Sequence, residues 1–233
     1  MSELQFNRNR LQQIMDLFPA ERRREIKPQK SQLRFLAKFQ KVKGSYNFKV
    51  SNTGLTNPHV TARHLERDDM LIAKSIFVGL YIEPKAKPGH GVILTYPMLQ
   101  SEGLPEGYAG LANADGEAVY NGELYLRTNS TVNYDSFPLH EFRVVPETQP
   151  VKLLGDAGFE SAGLIPEFNF AKAAIDLPEI LQLRGDTDQH IEINFPASDS
   201  SDIKAADDFD AYLIVIIDGW KVKNGTTILR LEA

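Results

Sequence analysis

Apolar and polar residues alternate with a period of two over much of the chain, which is the pattern of β-strands that bury one face. The longest patterned run covers residues 117–150. In it Leu124 and Leu126 share one side, and Tyr125 and Arg127 share the other. The turn residues Asn129–Ser130 divide the run. It therefore predicts a meander of strands with one solvent-exposed face.

The end of this run predicts a third short strand. Phe142, Val144 and Val145 supply its apolar positions, and Pro146 stops it. No residue of the run has the arrangement of a catalytic centre.

Two other runs are apolar at nearly every position, as in central strands that are covered on both faces. They are residues 70–82 (MLIAKSIFVGLYI) and residues 212–217 (YLIVII). By contrast, residues 191–195 (IEINF) alternate strictly, which predicts that Ile191 and Ile193 face the core.

Turn signals predict hairpins between neighbouring strands. The expected pairs are 31–40 with 46–50, 177–183 with 191–195, and 212–217 with 220–223 through Asp218–Gly219. A last strand from Thr226 to Leu231 is expected to close the sheet.

About eleven short strands without alternating helices predict an all-β sandwich or barrel. Long connections between some strands favour a jelly-roll-like β-sandwich over a simple meander. We predict one β-sandwich domain over residues 31–233, preceded by an N-terminal helical, basic arm of residues 1–30.

The arm begins with a helical period. Its stripe of apolar residues recurs at three, four and seven positions before Pro19: Leu4, Leu11, Ile14, Met15 and Phe18. Such a short helix is marginal alone, so the stripe must pack on the body or on another chain. We predict a subunit contact made by the arm's apolar stripe and arginines, namely Leu11, Met15, Phe18, Arg22, Arg23 and Arg24.

Charge is divided unevenly along the chain. Residues 1–49 carry a net +8 and the remaining residues a net −13, which together give −5. The arm is either a solvated basic surface or a segment that docks on a neighbour's acidic face or on phosphate. The further candidates for phosphate contact are Arg8, Arg10, Lys27 and Lys30.

The sequence contains no recognisable catalytic, cofactor or metal motif. Cysteine is absent, which excludes disulfides and thiolate sites, and the five histidines lack the spacing of a zinc site. No GxSxG elbow, P-loop or GxGxxG fingerprint occurs. We therefore expect a protein that is not an enzyme, without cofactor or transmembrane segment, in the cytoplasm or in a particle assembled there.

Two stretches carry a resemblance to a known class of proteins. They are residues 59–82, which contain Phe77-Val78-Gly79-Leu80, and residues 116–149, which end in a Phe-Arg-x-Val-Pro-like element at Phe142–Pro146. With the basic arm before them, they resemble capsid or other structural proteins of tailless bacteriophages and related mobile elements.

This resemblance implies a jelly-roll-like subunit of a virion or similar particle that self-assembles, with an arm reaching inward or to a neighbour. Its expected partners are further copies of itself, other shell proteins and nucleic acid phosphate. At 233 residues the chain is too short for two full jelly rolls, which leaves a minor or accessory shell protein open.

A different class remains as the alternative: a soluble β-sandwich module that binds carbohydrate or peptide. Its support is a set of tyrosines in predicted loops and strands, namely Tyr96, Tyr108, Tyr120, Tyr125 and Tyr134. A β-sandwich hydrolase has no positive signal in the sequence.

Overall fold

The computed structural model describes residues 11–40, 43–96, 111, 114–128, 131–144, 148–151, 163–166, 173–196, 203 and 205–230. Within these residues the chain is mostly β, in two antiparallel sheets of five and four strands and a separate two-stranded pair. The predicted all-β, sandwich-like architecture is confirmed at this level.

The five-stranded sheet, called sheet I, is built around β3. It contains β1 (Gln29–Lys38), β11 (Phe209–Val222), β3 (Met70–Pro84), β4 (Val92–Leu94) and β9 (Ile175–Arg184). β11 lies between β1 and β3, while β9 and β4 pair with successive parts of the other edge of β3. The runs 70–82 and 212–217 are thus the central strands that the sequence predicts.

The four-stranded sheet, called sheet II, has the order β2-β10-β5-β6. Its strands are β2 (Ser45–Lys49), β10 (Gln189–Asn194), β5 (Glu123–Thr128) and β6 (Thr131–Pro138). β7 (Thr148–Val151) and β8 (Gly163–Pro166) form the separate pair. Short 3₁₀ helices cover Arg23–Glu25, Ala114–Asn121 and Leu139–Phe142.

One apolar core fills the space between the sheets. Sheet I contributes Leu33, Phe35, Val78, Leu80, Leu213 and Val215, and sheet II contributes Phe48, Leu124, Leu126, Ile191 and Ile193. Ile191 and Ile193 are fully buried, as their alternation predicts. Burial of this surface is the main force that holds the two sheets together.

Two predicted hairpins are wrong because their strands lie in different sheets. β1 pairs with β11 whereas β2 pairs with β10, and β9 pairs with β3 whereas β10 pairs with β2 and β5. Each strand still turns its apolar residues toward the same core. A period of two shows which face of a strand is buried, but it does not select the hydrogen-bonded neighbour.

The predicted turn at Asp218–Gly219 is also wrong. β11 continues through these residues to Val222 with a shift in register against β3, which is the mark of a β-bulge. A Cβ atom on Gly219 would lie 2.2 Å from the carbonyl oxygen of Ile72. Glycine is required here by close backbone approach within the sheet, not by a reversal of the chain.

The C-terminal strand predicted for Thr226 to Leu231 is replaced by a helix, Gly225–Arg230, and Leu231 lies outside the described residues. Asn224 has a positive φ of 56°, and its backbone N–H donates to Asp69 Oδ1 at 3.0 Å. This turns the chain off the sheet. Ile228 and Leu229 then pack on the outer side of sheet I.

The third strand predicted at Phe142–Val145 is a 3₁₀ helix, Leu139–Phe142, followed by irregular chain. Leu139 and Phe142 are both fully buried. Their spacing of three places them on one side of a 3₁₀ turn. Val145 lies outside the described residues.

Candidate functional site

The outer face of sheet I, which points away from the core, is itself largely apolar. Its buried side chains form two clusters, one around Met70, Ile72, Trp220 and Val222 and the other around Phe77, Tyr81, Ile214 and Ile216. Exposure of such a continuous apolar surface to water is unfavourable, so both clusters require a cover.

The N-terminal segment (residues 11–26) covers the first cluster. Residues 11–16 are helical, and Ile14, Phe18 and Ile26 are buried against the strands. Ile228 and Leu229 of the C-terminal helix pack against the same cluster. Ile14, Met15 and Phe18 of the predicted apolar stripe therefore pack on the body of their own chain, whereas Leu4 lies outside the described residues.

The three apolar side chains predicted at the subunit contact differ in their solvent exposure. Phe18 is only 2% exposed, and Met15 is half-buried against the same cluster. Leu11 is 37% exposed, so a little over a third of its surface is open to a neighbour.

The predicted arginines also have different surroundings. Arg22 pairs with Glu25 at 3.1 Å. Arg23 pairs with Asp16 at 3.2 Å and donates from Nε to the carbonyl oxygen of Phe18 at 3.0 Å. Arg23 thus ties the end of the helix to the following turn. Arg24 is exposed and makes no ion pair within the described residues.

Of the four predicted phosphate contacts, Arg8 and Arg10 lie outside the described residues, and Lys27 is exposed. Lys30 lies at the start of β1, at the edge of an open cleft of about 480 Å³ on the outer face of sheet I. The cleft also contains Arg63 and Lys74. We call it the Lys74 cleft. Neither of these cations is predicted as a site residue by the sequence pattern, although Lys74 is the one charged residue in the run 70–82.

A buried polar network lies at the opposite end of this face. His59 Nε2 lies 2.8 Å from Glu83 Oε1, and the Gly89 N–H donates to Glu83 Oε2 at 2.7 Å. The rings of Tyr81 and Tyr212 pack edge-on against the imidazole of His59. The network fixes the loops around His59 and Gly89 to the end of β3, which is a structural role.

Two pKa shifts follow from this arrangement. Burial alone would raise the pKa of Glu83, but hydrogen bonds from the Gly89 N–H, His59 and Tyr212 outweigh it and hold this pKa below its ordinary value. Burial, together with the neighbouring Glu83 carboxylate, raises the pKa of the Tyr212 hydroxyl. Glu83 is therefore held as a carboxylate with its oxygens occupied by donors.

The tyrosines proposed for the alternative binding module have dissimilar environments. Tyr120 is 2% exposed, Tyr96 is half-buried, and Tyr125 on sheet II donates its hydroxyl to Glu123. Tyr108 and the side chain of Tyr134 lie outside what the structure describes. The described tyrosines thus offer little common surface for a ligand.

No known family model, curated protein or solved structure matches this chain. Among the described side chains, no group of three histidine, aspartate or glutamate residues is placed to hold a metal ion. In the same part of the chain, no helix has both the length and the apolar character needed to span a membrane.

Proposed function

We propose that the chain is a non-enzymatic structural subunit with a jelly-roll fold, which self-assembles into a symmetric oligomer or virion-type shell. The observation that carries this proposal is the order of eight strands in the two sheets. Sheet I contains β1-β11-β3-β9 and sheet II contains β2-β10-β5-β6.

When these eight strands are renumbered from one to eight in chain order, sheet I has the order 1-8-3-6 and sheet II has the order 2-7-4-5. Among these eight strands, each step in chain order except β5 to β6 passes from one sheet to the other. Interleaving of this kind is expected of two Greek keys wound into a double-sheet jelly roll. β4, β7 and β8 are additions to that plan.

Jelly rolls occur in viral capsid proteins and in lectin domains, so the fold alone does not decide between a shell and a binding module. The space between the sheets beside Ile76, Leu124 and Leu177 measures about 20 Å³ and is lined by apolar side chains. Sites for small ligands occupy roughly 300–1,000 Å³. This apolar filling favours a subunit that works through its outer surfaces.

The charge division supports contacts between copies. Residues 1–49, with a net +8, and the rest of the chain, with a net −13, attract each other between neighbouring chains as well as within one. In our proposal Leu11 and Arg24, which are exposed beside the apolar cover, contact the acidic surface of a neighbour. Phe18 instead holds the segment in place.

The first test is the native mass of the full-length protein by light scattering at low and high salt, with electron microscopy of the same samples. We expect large regular assemblies that loosen with added salt, because salt screens contacts between exposed charges. A monomer at both salt concentrations contradicts the proposal and turns attention to the binding module, for which a glycan array is the next measurement.

Charge reversal tests the role of the segment without disturbing its packing. Arg24→Glu is expected to shift the protein from assemblies to small species at low salt. Lys87→Glu makes the same change of charge in an exposed loop at the far end of sheet I and serves as the matched control. Equal loss of assembly in both variants would show that net charge, and not this contact, controls association.

A further inference from the structure

Lys74 occupies an unusual place, as the one charged residue in the apolar run 70–82 of β3. In β11, Gly219 pairs with Ala73 and Asp218 pairs with Ser75, so that Lys74 has no partner. The register against β9 also breaks at Lys74, between the pairs Ala73–Leu181 and Ser75–Asp176, although there the longer unpaired stretch belongs to β9. Lys74 is therefore the extra residue of a β-bulge. Bulges redirect side chains and recur next to functional sites.

The redirected side chain lines the Lys74 cleft with two further cations, Lys30 and Arg63. Arg63 forms an antiparallel bridge with Arg34, with backbone hydrogen bonds of 3.0 and 2.8 Å. Two like charges side by side on a sheet repel each other. Within the described residues, none of these four cations has a carboxylate partner.

The cleft also contains one carboxylate, Asp218, which offsets one of the three positive charges. Gln32 Nε2 donates to Asp218 Oδ1 at 2.9 Å. The remaining polar groups include the hydroxyls of Ser31 and Ser75, which are hydrogen-bond donors. Three cations against one carboxylate, together with these hydroxyls, thus line an open cleft of about 480 Å³, within the usual range for ligand sites.

We propose that the Lys74 cleft is an oxyanion site that binds phosphate, either as the free ion or as the phosphodiester of a nucleic acid. Phosphate oxygens accept charge-assisted hydrogen bonds from lysine and arginine and would relieve the repulsion among the cations. The site lies within one subunit, so the inference goes beyond the proposed function and does not depend on assembly.

Trp220, the single tryptophan, lines the cleft and provides the measurement. Tryptophan fluorescence of the full-length protein is followed during titration with inorganic phosphate and, separately, with a ten-nucleotide oligothymidine. We expect a saturable change with at least one of these probes. Lys74→Gln is expected to weaken that binding about tenfold or more, because it removes a charged hydrogen-bond donor.

Two further variants separate binding from folding and from net charge. Lys30→Gln changes an exposed residue at the end of an edge strand and is expected to weaken binding without loss of stability. Lys87→Gln removes one positive charge far from the cleft and is expected to bind like the unchanged protein. Thermal unfolding of each variant confirms that the fold is retained.

The two probes distinguish the source of the phosphate. Saturation by inorganic phosphate with competition between the probes supports a site for a single phosphate group. Binding of the oligonucleotide alone, with a salt slope reduced by about 0.7 in Lys74→Gln, supports a phosphodiester contact. No saturable change, or equal weakening in Lys74→Gln and Lys87→Gln, overturns the proposal. An acidic peptide with the sequence of residues 205–210 tests whether the cleft binds carboxylates instead. Binding of this peptide and of neither phosphate probe also overturns the proposal.

Discussion

The outer faces of the two sheets differ in polarity. On sheet I the outward side chains of the central strands, such as Ile72, Ile216 and Trp220, are buried. On sheet II the outward side chains are polar: Arg127 Nε donates to Glu192 Oε2 at 2.5 Å, and Asn194 Nδ2 donates to Glu192 Oε1 at 3.0 Å. One face therefore needs a cover, and the other is stable in water.

This difference explains where residues 11–26 and 225–230 pack. The N-terminal segment and the helix Gly225–Arg230 both pack over the cluster that contains Trp220. They complete the core of sheet I from outside, so the segment is part of the fold as well as a candidate contact. Sheet II needs no such addition, because its outer face already carries polar side chains.

The largest difference in stability is expected when an aspartate is introduced on the outer face of each sheet in turn. Ile72→Asp buries an unpaired carboxylate under the N-terminal segment and should reduce the free energy of unfolding by more than about 4 kcal/mol. Ser45→Asp places the same group on the exposed outer side of β2 and should change it by less than about 0.5 kcal/mol. Urea unfolding measures both values. Similar losses in the two variants would remove the distinction between the faces.

The cover itself is tested by truncating its central side chain. Phe18→Ala should cost about 3 kcal/mol, because it leaves a cavity above Met70 and Trp220. Leu11→Ala, at a residue 37% exposed, should cost less than about 1 kcal/mol. A cost below about 1 kcal/mol for Phe18→Ala in urea unfolding would mean that the segment is not held on the sheet.

The smallest effect on stability is expected when one native carboxylate is removed from each sheet in turn, Glu83 from sheet I and Glu192 from sheet II. The pKa of Glu83 is lowered in the folded protein, so its charge stabilises the fold above the ordinary value of 4.5, and this contribution is lost as the pH falls through the folded pKa. Glu83→Gln should therefore destabilise the protein by about 1–2 kcal/mol at pH 7 and by less at pH 3, which lies below the ordinary pKa of 4.5.

On sheet II, burial raises the pKa of Glu192, but the hydrogen bond from Asn194, the largest influence, and the contact with Arg127 lower it overall. Because Arg127 is more than a third exposed, Glu192→Gln should cost no more than about 1 kcal/mol at pH 7. Urea unfolding at the two pH values checks both variants. A pH-independent cost for Glu83→Gln would show that its charge does not contribute.

The sequence predicts the faces of the strands better than their partners. Residues 70–82 and 212–217 are apolar on both sides because each strand contacts the inter-sheet core and a covered outer face. The alternation in residues 191–195 correctly places Ile191 and Ile193. Which strands become hydrogen-bonded neighbours depends on how distant parts of the chain pack together. This information is distributed over the whole chain and is not contained in any one strand.

The bulges show a second limit of sequence reading. Asp218–Gly219 has the composition of a tight turn, yet it lies inside a continuous strand where Gly219 approaches Ile72. Nothing in the local sequence distinguishes the two conformations. Lys74 was detectable only as a charge in an apolar run, and its companions Lys30 and Arg63 come from distant parts of the chain.

The position of β11 between β1 and β3 has a consequence for synthesis of the protein on the ribosome. β1 and β3 emerge early, but the strand that hydrogen-bonds to both follows only after about half of the 233 residues. β3 can pair earlier with β4 and β9, but its other edge and the apolar strand β1 wait for β11 to leave the ribosome. Nascent chains of this protein are therefore expected to need protection by chaperones until β11 has emerged.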